Sequence, residues 1–281
     1  MSEWLKNAVF YEIYPQSFLD TNGDGIGDIC GITQKLDYIK DLGFNAIWLN
    51  PCYLSPFADA GYDVADYKKV APRYGTNQDL INLFAEAHKR GIHVILDLVP
   101  GHTSEQHEWF LQSKLPQKNK YSDRYIWSDC VWHRPEGYSW VAGNADRDGC
   151  YMLNFFNSQP ALNYGFKDIT DATWQIPYTD ERVQATFDDM LDVMRFWLDN
   201  GADGFRVDMA DSLVKNDEDK SATAVAQGSC NAGQRLSPSG AGFRVVQRTA
   251  RHKYGRFPRG LFAQSRRKND LLRISLSQRT G

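Results

Sequence analysis

Arginine and aspartate stand two residues apart in the segment DGFRVD, at Arg206 and Asp208. In a β-strand, residues two apart point to the same face, so the guanidinium and the carboxylate are expected to lie side by side. A permanently charged guanidinium favours the ionised form of a neighbouring carboxylate, and that form can attack the anomeric carbon of a sugar. A structural ion pair at a strand end would give the same pattern, so both interpretations stay open here.

Further polar side chains stand where loops are expected to follow strands. They are Asp97 and His102 in DLVPGH, Tyr62 and Asp63 in AGYDVADY, and Gln159 in SQPALNYGF. Carbohydrate sites combine acids and amides with aromatic surfaces, so this assortment is typical of a sugar pocket. Each residue alone is weak evidence, because a single histidine or aspartate usually serves structure.

A regular series of oxygen ligands occurs in DTNGDGIGD. Asp20, Asn22, Asp24, the Ile26 carbonyl and Asp28 occupy positions 1, 3, 5, 7 and 9 of this segment, as in a calcium loop. Position 12 is Gly31 rather than the bidentate Glu of an EF-hand. The spacing predicts a small structural Ca²⁺ site, with a solvated Asp/Gly turn as the alternative.

Four apolar runs of strand length alternate with helical patterns. They cover residues 9–14, 45–50, 93–99 and 203–208. Three helix candidates end in glycine, at Gly43, Gly91 and Gly201, as helices often do. Near-continuous apolar strands separated by helices predict an α/β fold with a parallel sheet. We expect the first four β/α units of a (β/α)8 TIM barrel, and a doubly wound open sheet is the alternative.

Composition divides the chain near residue 220. Residues 221–281 carry twelve Lys and Arg against one acid, Asp270, whereas all eight Trp lie at or before Trp197. We expect residues 1–102 to form the first part of the barrel and residues 176–220 its third helix and fourth strand. Residues 103–175 are too long for a simple loop and predict an inserted subdomain over the carboxyl ends of the strands.

Six segments, taken in order over about residues 4–219, resemble the α-amylase superfamily, glycoside hydrolase family 13. They are YEIYPQSF, DTNGDGIGD, GYDVADY, DLVPGHTS, QPALN and GFRVDMAD. Within the superfamily the chain resembles the oligo-1,6-glucosidases and α-glucosidases. The resemblance implies a glycosidase of carbohydrate metabolism that cleaves α-linked gluco-oligosaccharides with retention and uses no organic cofactor.

The resemblance also implies roles for the candidate residues. Asp208 is the nucleophile that forms a β-glucosyl ester, and Arg206 holds it ionised. His102, Tyr62 and Asp63 contact the glucose before the scissile bond, and Asp97 orients this cluster. Gly101 stands where many members have Asn, which removes one side chain near the site.

The general acid has no counterpart in this sequence. Retaining hydrolysis needs a second carboxyl about 5 to 5.5 Å from the nucleophile, and in this family it is a Glu that ends the fifth strand. No Glu follows Glu218, and four strands cannot close a barrel. We therefore expect this chain to be a truncated fragment without activity.

The basic tail has the marks of a reading-frame error. If the codons of residues 242–261 are read one base later, with synonymous codons chosen freely, they can encode VSEWSNAPHGTSTAGFPADF, which resembles the fifth-strand region of the family. Residues 225–239 can encode WRREVATQVNAYPRA in the same frame. We interpret residues 221–281 as out of frame rather than a native domain, whereas charge alone would suggest a nucleic-acid-binding arm.

Other functions fit parts of the sequence. Close relatives transfer or isomerise glucose, as trehalose and sucrose isomerases do, and other superfamily members are non-catalytic subunits of transporters. The chain has no signal-like or membrane-length apolar run, and its five Cys have no zinc or disulfide spacing. We expect a soluble, cytoplasmic protein whose partner is a small oligosaccharide rather than a nucleic acid or a membrane.

Overall fold

A computed structural model describes residues 3–218 and 245–247. The strands in chain order are β1 (Phe10–Ile13), β2 (Ala46–Leu49), β3 (Tyr53–Leu54), β4 (Asp66–Val70), β5 (His93–Leu98), β6 (Ser139–Val141), β7 (Tyr151–Leu153), β8 (Gly204–Val207) and β9 (Val245–Gln247). The α-helices are α1 (Ile29–Gln34), α2 (Leu36–Asp41), α3 (Asn77–Lys89), α4 (Glu108–Ser113) and α5 (Glu181–Asp199). Short 3-10 helices cover Glu3–Asn7, Pro15–Ser17 and Ala210–Ser212.

One parallel sheet organises the chain, in the order β1-β2-β5-β8-β9. This order follows the sequence without reversal, as in a barrel, whereas a doubly wound sheet reverses its order at a switch point. The four expected strands are confirmed as part of a TIM-barrel sheet. The basic tail adds a fifth strand, β9, which we did not expect. Its Val245 pairs in parallel with Phe205 of β8.

Burial on both faces explains why the strands read as apolar runs. All four residues of β2 are buried, and β5 is buried from Val94 to Leu98. Helix α5 contributes Phe187, Met190, Met194 and Trp197 to the same core as the strands, and these residues recur at helical spacing. The sheet therefore presents its polar strand-end residues at one edge of a packed core.

Helix boundaries follow their caps. Helix α3 begins with a capping box in which Thr76 and Asp79 satisfy each other's backbone N–H groups. The helix expected after β1 is two short helices, because Lys35 leaves helical geometry at φ −101° and ψ 9°. Asp28 caps α1 by accepting from the Gly31 backbone N–H.

The segment inserted between β5 and α5 contains α4 and the antiparallel pair β6 and β7. His107 caps α4 through its Nδ1, which accepts from the Trp109 backbone N–H. The segment has a hydrophobic cluster of its own, formed by Ile126, Met152, Ala161, Phe166 and Trp174.

The inserted segment returns to the barrel through backbone hydrogen bonds. Lys215 donates from its N–H to the Gly165 carbonyl, and Lys167 donates to the Lys215 carbonyl. These bonds tie the end of the insertion to the segment that follows β8.

The expectations for the tail at 219–244 and 248–281 lie outside the described residues. Within the described part, no helix is long and apolar enough to cross a membrane.

Candidate active site

Strand register brings Asp97 and Arg206 together. They are partners on the adjacent parallel strands β5 and β8, and Arg206 Nη1 donates to Asp97 Oδ1 at 2.9 Å. The same nitrogen donates to Asp208 Oδ1 at 2.7 Å. One guanidinium therefore joins two carboxylates at the carboxyl ends of neighbouring strands, which is where barrel enzymes hold their active sites.

Two aromatic residues complete the surroundings of Asp97. Trp48 on β2 donates from its indole N–H to Asp97 Oδ2 at 3.0 Å, and the Tyr62 hydroxyl donates to the same oxygen at 3.2 Å. The Arg206 guanidinium lies 5.0 Å from the centre of the Trp48 ring. Asp97 thus accepts hydrogen bonds from Trp48, Tyr62 and Arg206.

Burial and charge oppose each other at these carboxylates. Burial raises the pKa of Asp97 to about 7, although Arg206 acts to lower it. Burial also raises the pKa of Asp208, again against the lowering effect of Arg206. Arg206 favours the ionised form of Asp208, but one cation serves two acids and does not offset their desolvation.

His102 lies beside this network in the turn after β5. Its side chain is buried, and burial lowers the pKa of the ring to about 4, so the imidazole is neutral at pH 7. The Tyr67 hydroxyl contacts two carbonyl oxygens of this turn, of Val99 at 2.7 Å and of His102 at 2.9 Å. Tyr67 therefore holds the backbone of this turn in place.

Asp63 and Gln159 hold the loop between β3 and β4. The Asp63 carboxylate is fully buried and accepts from the Ser55 hydroxyl and from the Ala58 and Asp59 backbone N–H groups. Gln159 donates from Nε2 to Asp59 Oδ2 at 2.7 Å. Both residues act on the position of Asp59 in this structure.

Asp59 was not identified from the sequence. Burial raises the pKa of its carboxyl, and the charges of Asp63 and Asp208 raise it further. It therefore lies within electrostatic reach of the nucleophile candidate. The sequence signal that could have identified Asp59 is its place four residues before Asp63, as a second acid in a loop that follows a strand.

The oxygen-rich loop after β1 satisfies its own backbone. Asp20 accepts from the N–H groups of Gly25 and Gly23, which lower the pKa of its carboxyl. Asn22 accepts from Asp24 N–H and Asp24 accepts from Ile26 N–H. Asp28 is buried and accepts from Thr21 as well as from Gly31.

This donor set consists of hard oxygens, which is the chemistry that Ca²⁺ prefers. Among the described residues, however, no group of three or more His, Cys, Asp or Glu side chains is placed to hold a metal ion. Calcium at this loop stays a proposal.

Comparison with known proteins decides the family. The family model described as alpha amylase, catalytic domain, matches residues 12–234. The chain belongs to the α-amylase family. The expected resemblance is thereby confirmed, and the site residues lie within the matched part of this α-amylase family member.

Relatives within the α-amylase family include an oligo-1,6-glucosidase and a trehalose synthase/amylase. An oligo-1,6-glucosidase of Heyndrickxia coagulans is 43% identical over 226 residues, which are 76% of this chain and 37% of that protein. The trehalose synthase/amylase TreS of Mycolicibacterium smegmatis is 43% identical over 77% of this chain and 35% of its own length. The chain thus spans less than two fifths of the length of each of these two relatives.

A solved structure gives the same result. The trehalulose synthase MutB from Pseudomonas mesoacidophila MX-45 superposes with a TM-score of 0.65 and 38% identity, over 76% of this chain and 37% of MutB. Mutants of MutB have been solved with the substrate sucrose and with glucose. The chain is therefore oligo-1,6-glucosidase-like and α-glucosidase-like, with relatives that bind sugars.

Proposed function

We propose that Asp208 is the nucleophile of a site that processes α-glucosides with retention. The observation that carries this proposal is the 2.7 Å contact of Arg206 Nη1 with Asp208 Oδ1 at a strand end, beside a second carboxylate, Asp97. An Asp208 oxygen attacks the anomeric carbon, the bond to the leaving oxygen breaks with its electron pair, and a β-glucosyl ester forms.

The surrounding residues hold the glucose during this attack. His102 supplies a donor to its hydroxyls, the Tyr62 hydroxyl oxygen can accept from them, and Asp97 keeps Arg206 and Tyr62 in place. Asp63 and Gln159 act through the loop that carries Asp59. The support for these roles is their common position around Asp208 and their match to the family motifs.

We propose further that this chain supplies the nucleophile but not the acid that protonates the leaving oxygen. No Glu follows Glu218 in the sequence, and the chain corresponds to 37% of its glucosidase relative. Ordinary glycosides, whose leaving groups need a proton, should therefore turn over slowly or not at all.

Glucosyl transfer or isomerisation is the second candidate function. It is favoured by the names of the relatives, which include a trehalose synthase and a trehalulose synthase. A glucosyl ester on Asp208 is common to both functions, since they differ in whether water or a sugar hydroxyl attacks it.

The nucleophile can be tested without the acid. α-Glucosyl fluoride loses fluoride without protonation, so Asp208 alone should form the ester, which mass spectrometry of the intact chain detects as an added glucosyl group. We expect the adduct on the parent chain and none on Asp208→Asn. A chain that binds glucose but forms no adduct would disprove the proposal.

The fate of the adduct separates the two functions. Maltose or fructose is added after the adduct has formed, and the products are separated by chromatography. Release of free glucose alone supports hydrolysis, whereas a new trisaccharide from maltose or a new disaccharide from fructose supports transfer.

A further inference from the structure

Asn154 joins His102 to Lys215 at the carboxyl edge of the sheet. Its Nδ2 lies 3.1 Å from His102 Nδ1, and its Oδ1 accepts from Lys215 Nζ at 3.2 Å. Lys215 Nζ also donates to the Ser212 carbonyl at 2.7 Å, and Asn154 Nδ2 lies 3.9 Å from Met209 Sδ. Side chains from the turn after β5, from the insertion and from the segment after β8 thus meet at one amide.

Lysine fixes the orientation of this amide. An ammonium group can only donate, so the amide oxygen must face Lys215 and the NH₂ group must face His102. His102 Nδ1 then has to accept. In a neutral imidazole one nitrogen accepts and the other carries the proton, so the proton belongs on Nε2.

The other ring nitrogen is placed to donate. His102 is 2% exposed, and its Nε2 is buried without a hydrogen bond to any described residue. The Tyr62 carbonyl lies near enough to the ring to raise its pKa, and a carbonyl can only accept. The Asn154 amide and the Tyr62 carbonyl are therefore both compatible with a proton on Nε2.

Gly101 leaves the space that Asn154 occupies. A Cβ added at Gly101 would lie 2.9 Å from Asn154 Nδ2, closer than side-chain atoms pack. The φ angle of Gly101 lies outside the left-handed region, so the backbone itself does not require glycine there. The missing side chain at this position, which the sequence singled out, is what lets Asn154 approach His102.

We propose that Lys215 and Asn154 are positioning residues that fix His102 as its Nε2–H tautomer. The buried Nε2 is then a hydrogen-bond donor for a sugar hydroxyl, a consequence that rests on the function proposed above. The positioning itself does not depend on any substrate.

The tautomer can be read directly by nitrogen NMR of the ¹⁵N-histidine-labelled chain at pH 7 without sugar. We expect an unprotonated Nδ1 and a protonated Nε2 in the parent. Asn154→Asp has the same shape but only accepts, so Nδ1 should become protonated. Lys215→Met frees the amide to rotate, and both tautomers should be populated. Asn82→Asp adds the same charge at an exposed site and should change neither nitrogen.

Gly101→Ala tests the space beside the amide. Its added methyl should displace Asn154 and populate both tautomers, as Lys215→Met does. A purely Nε2–H signal in Asn154→Asp, Lys215→Met and Gly101→Ala alike would overturn the positioning role.

A glucose titration of the same samples separates this inference from the proposed function. Loss of one neutral hydrogen bond to the sugar should weaken binding by about tenfold in Asn154→Asp. A changed tautomer with unchanged glucose affinity would support the positioning and refute the use of Nε2 for sugar.

Discussion

Asp97 and Arg206 are register partners on adjacent strands, and their side chains meet at 2.9 Å. Pairing in a parallel sheet fixes which residues end up side by side, so the contact follows from the backbone. The acid that results is buried, and the loss of solvent around its charge raises its pKa to about 7 despite the contact with Arg206.

Asp97→Asn should stabilise the chain at neutral pH. The folded-state pKa of about 7 lies above the ordinary value of 3.8, so the folded chain binds this proton more tightly than the unfolded chain. Stability therefore falls as pH rises from about 4 to 7, and the variant escapes that loss. We expect a gain on the order of 1–3 kcal/mol at pH 8 and none at pH 3.5, measured by urea unfolding. An equal difference at both pH values would contradict the explanation.

His107→Asn should make the chain more resistant to acid. Burial lowers the pKa of His107 from 6.5 to about 3, so its stabilising contribution is present above pH 6.5 and is lost as pH falls toward 3. Asparagine keeps a cap acceptor for α4 without taking up a proton. The stability of the variant relative to the parent should rise by about 1 kcal/mol for each pH unit below 6.5. The stability difference between the variant and the parent at pH 8 gives the cost of the lost packing. If that difference stays constant down to pH 4, the prediction is wrong.

Calcium should raise the melting temperature through the loop after β1. A ligand that binds only the folded chain stabilises it by about 2.7 kcal/mol at one hundred times its dissociation constant. We expect Asp20→Ala to abolish the shift produced by CaCl₂. Asp171→Ala removes a carboxylate that also accepts from a nearby backbone N–H, at Thr173, and should keep the shift. If calcium does not change the melting temperature of the parent chain, the prediction is wrong and the loop is a solvated turn without a metal.

Gly165→Ala should be far more damaging than Gly91→Ala. Both glycines have positive φ, +82° and +70°, so alanine is strained at either by about 1–2 kcal/mol. A Cβ at Gly165 would also lie 2.4 Å from Tyr178 Cα, whereas nothing lies within 4 Å at Gly91. We expect an additional loss of about 1–3 kcal/mol for Gly165→Ala in urea unfolding. Equal losses of stability in the two variants would show that the backbone of Tyr178 can move away from the added methyl group without cost.

Local pattern predicted the sheet and the nucleophile candidate. Apolar runs marked the strands, and the two-residue spacing placed Arg206 beside Asp208. The contacts of Asn154 lay beyond such reasoning, because His102 is 52 residues away in the chain and Lys215 is 61. The position of Asp63 behind the loop, with its carboxylate on Ser55, likewise depends on how β3 and β4 fold back on each other. Periodicity carries no information on such long-range pairs.

The order of the strands has a consequence for assembly. Among the described residues, β1 and β9 each have one neighbour in the sheet, so each presents a row of backbone donors and acceptors to whatever lies beside it. Such borders are docking sites for further parallel strands. A further strand that pairs in parallel at either border, from this chain or from another polypeptide, would extend the sheet through the same backbone hydrogen bonds.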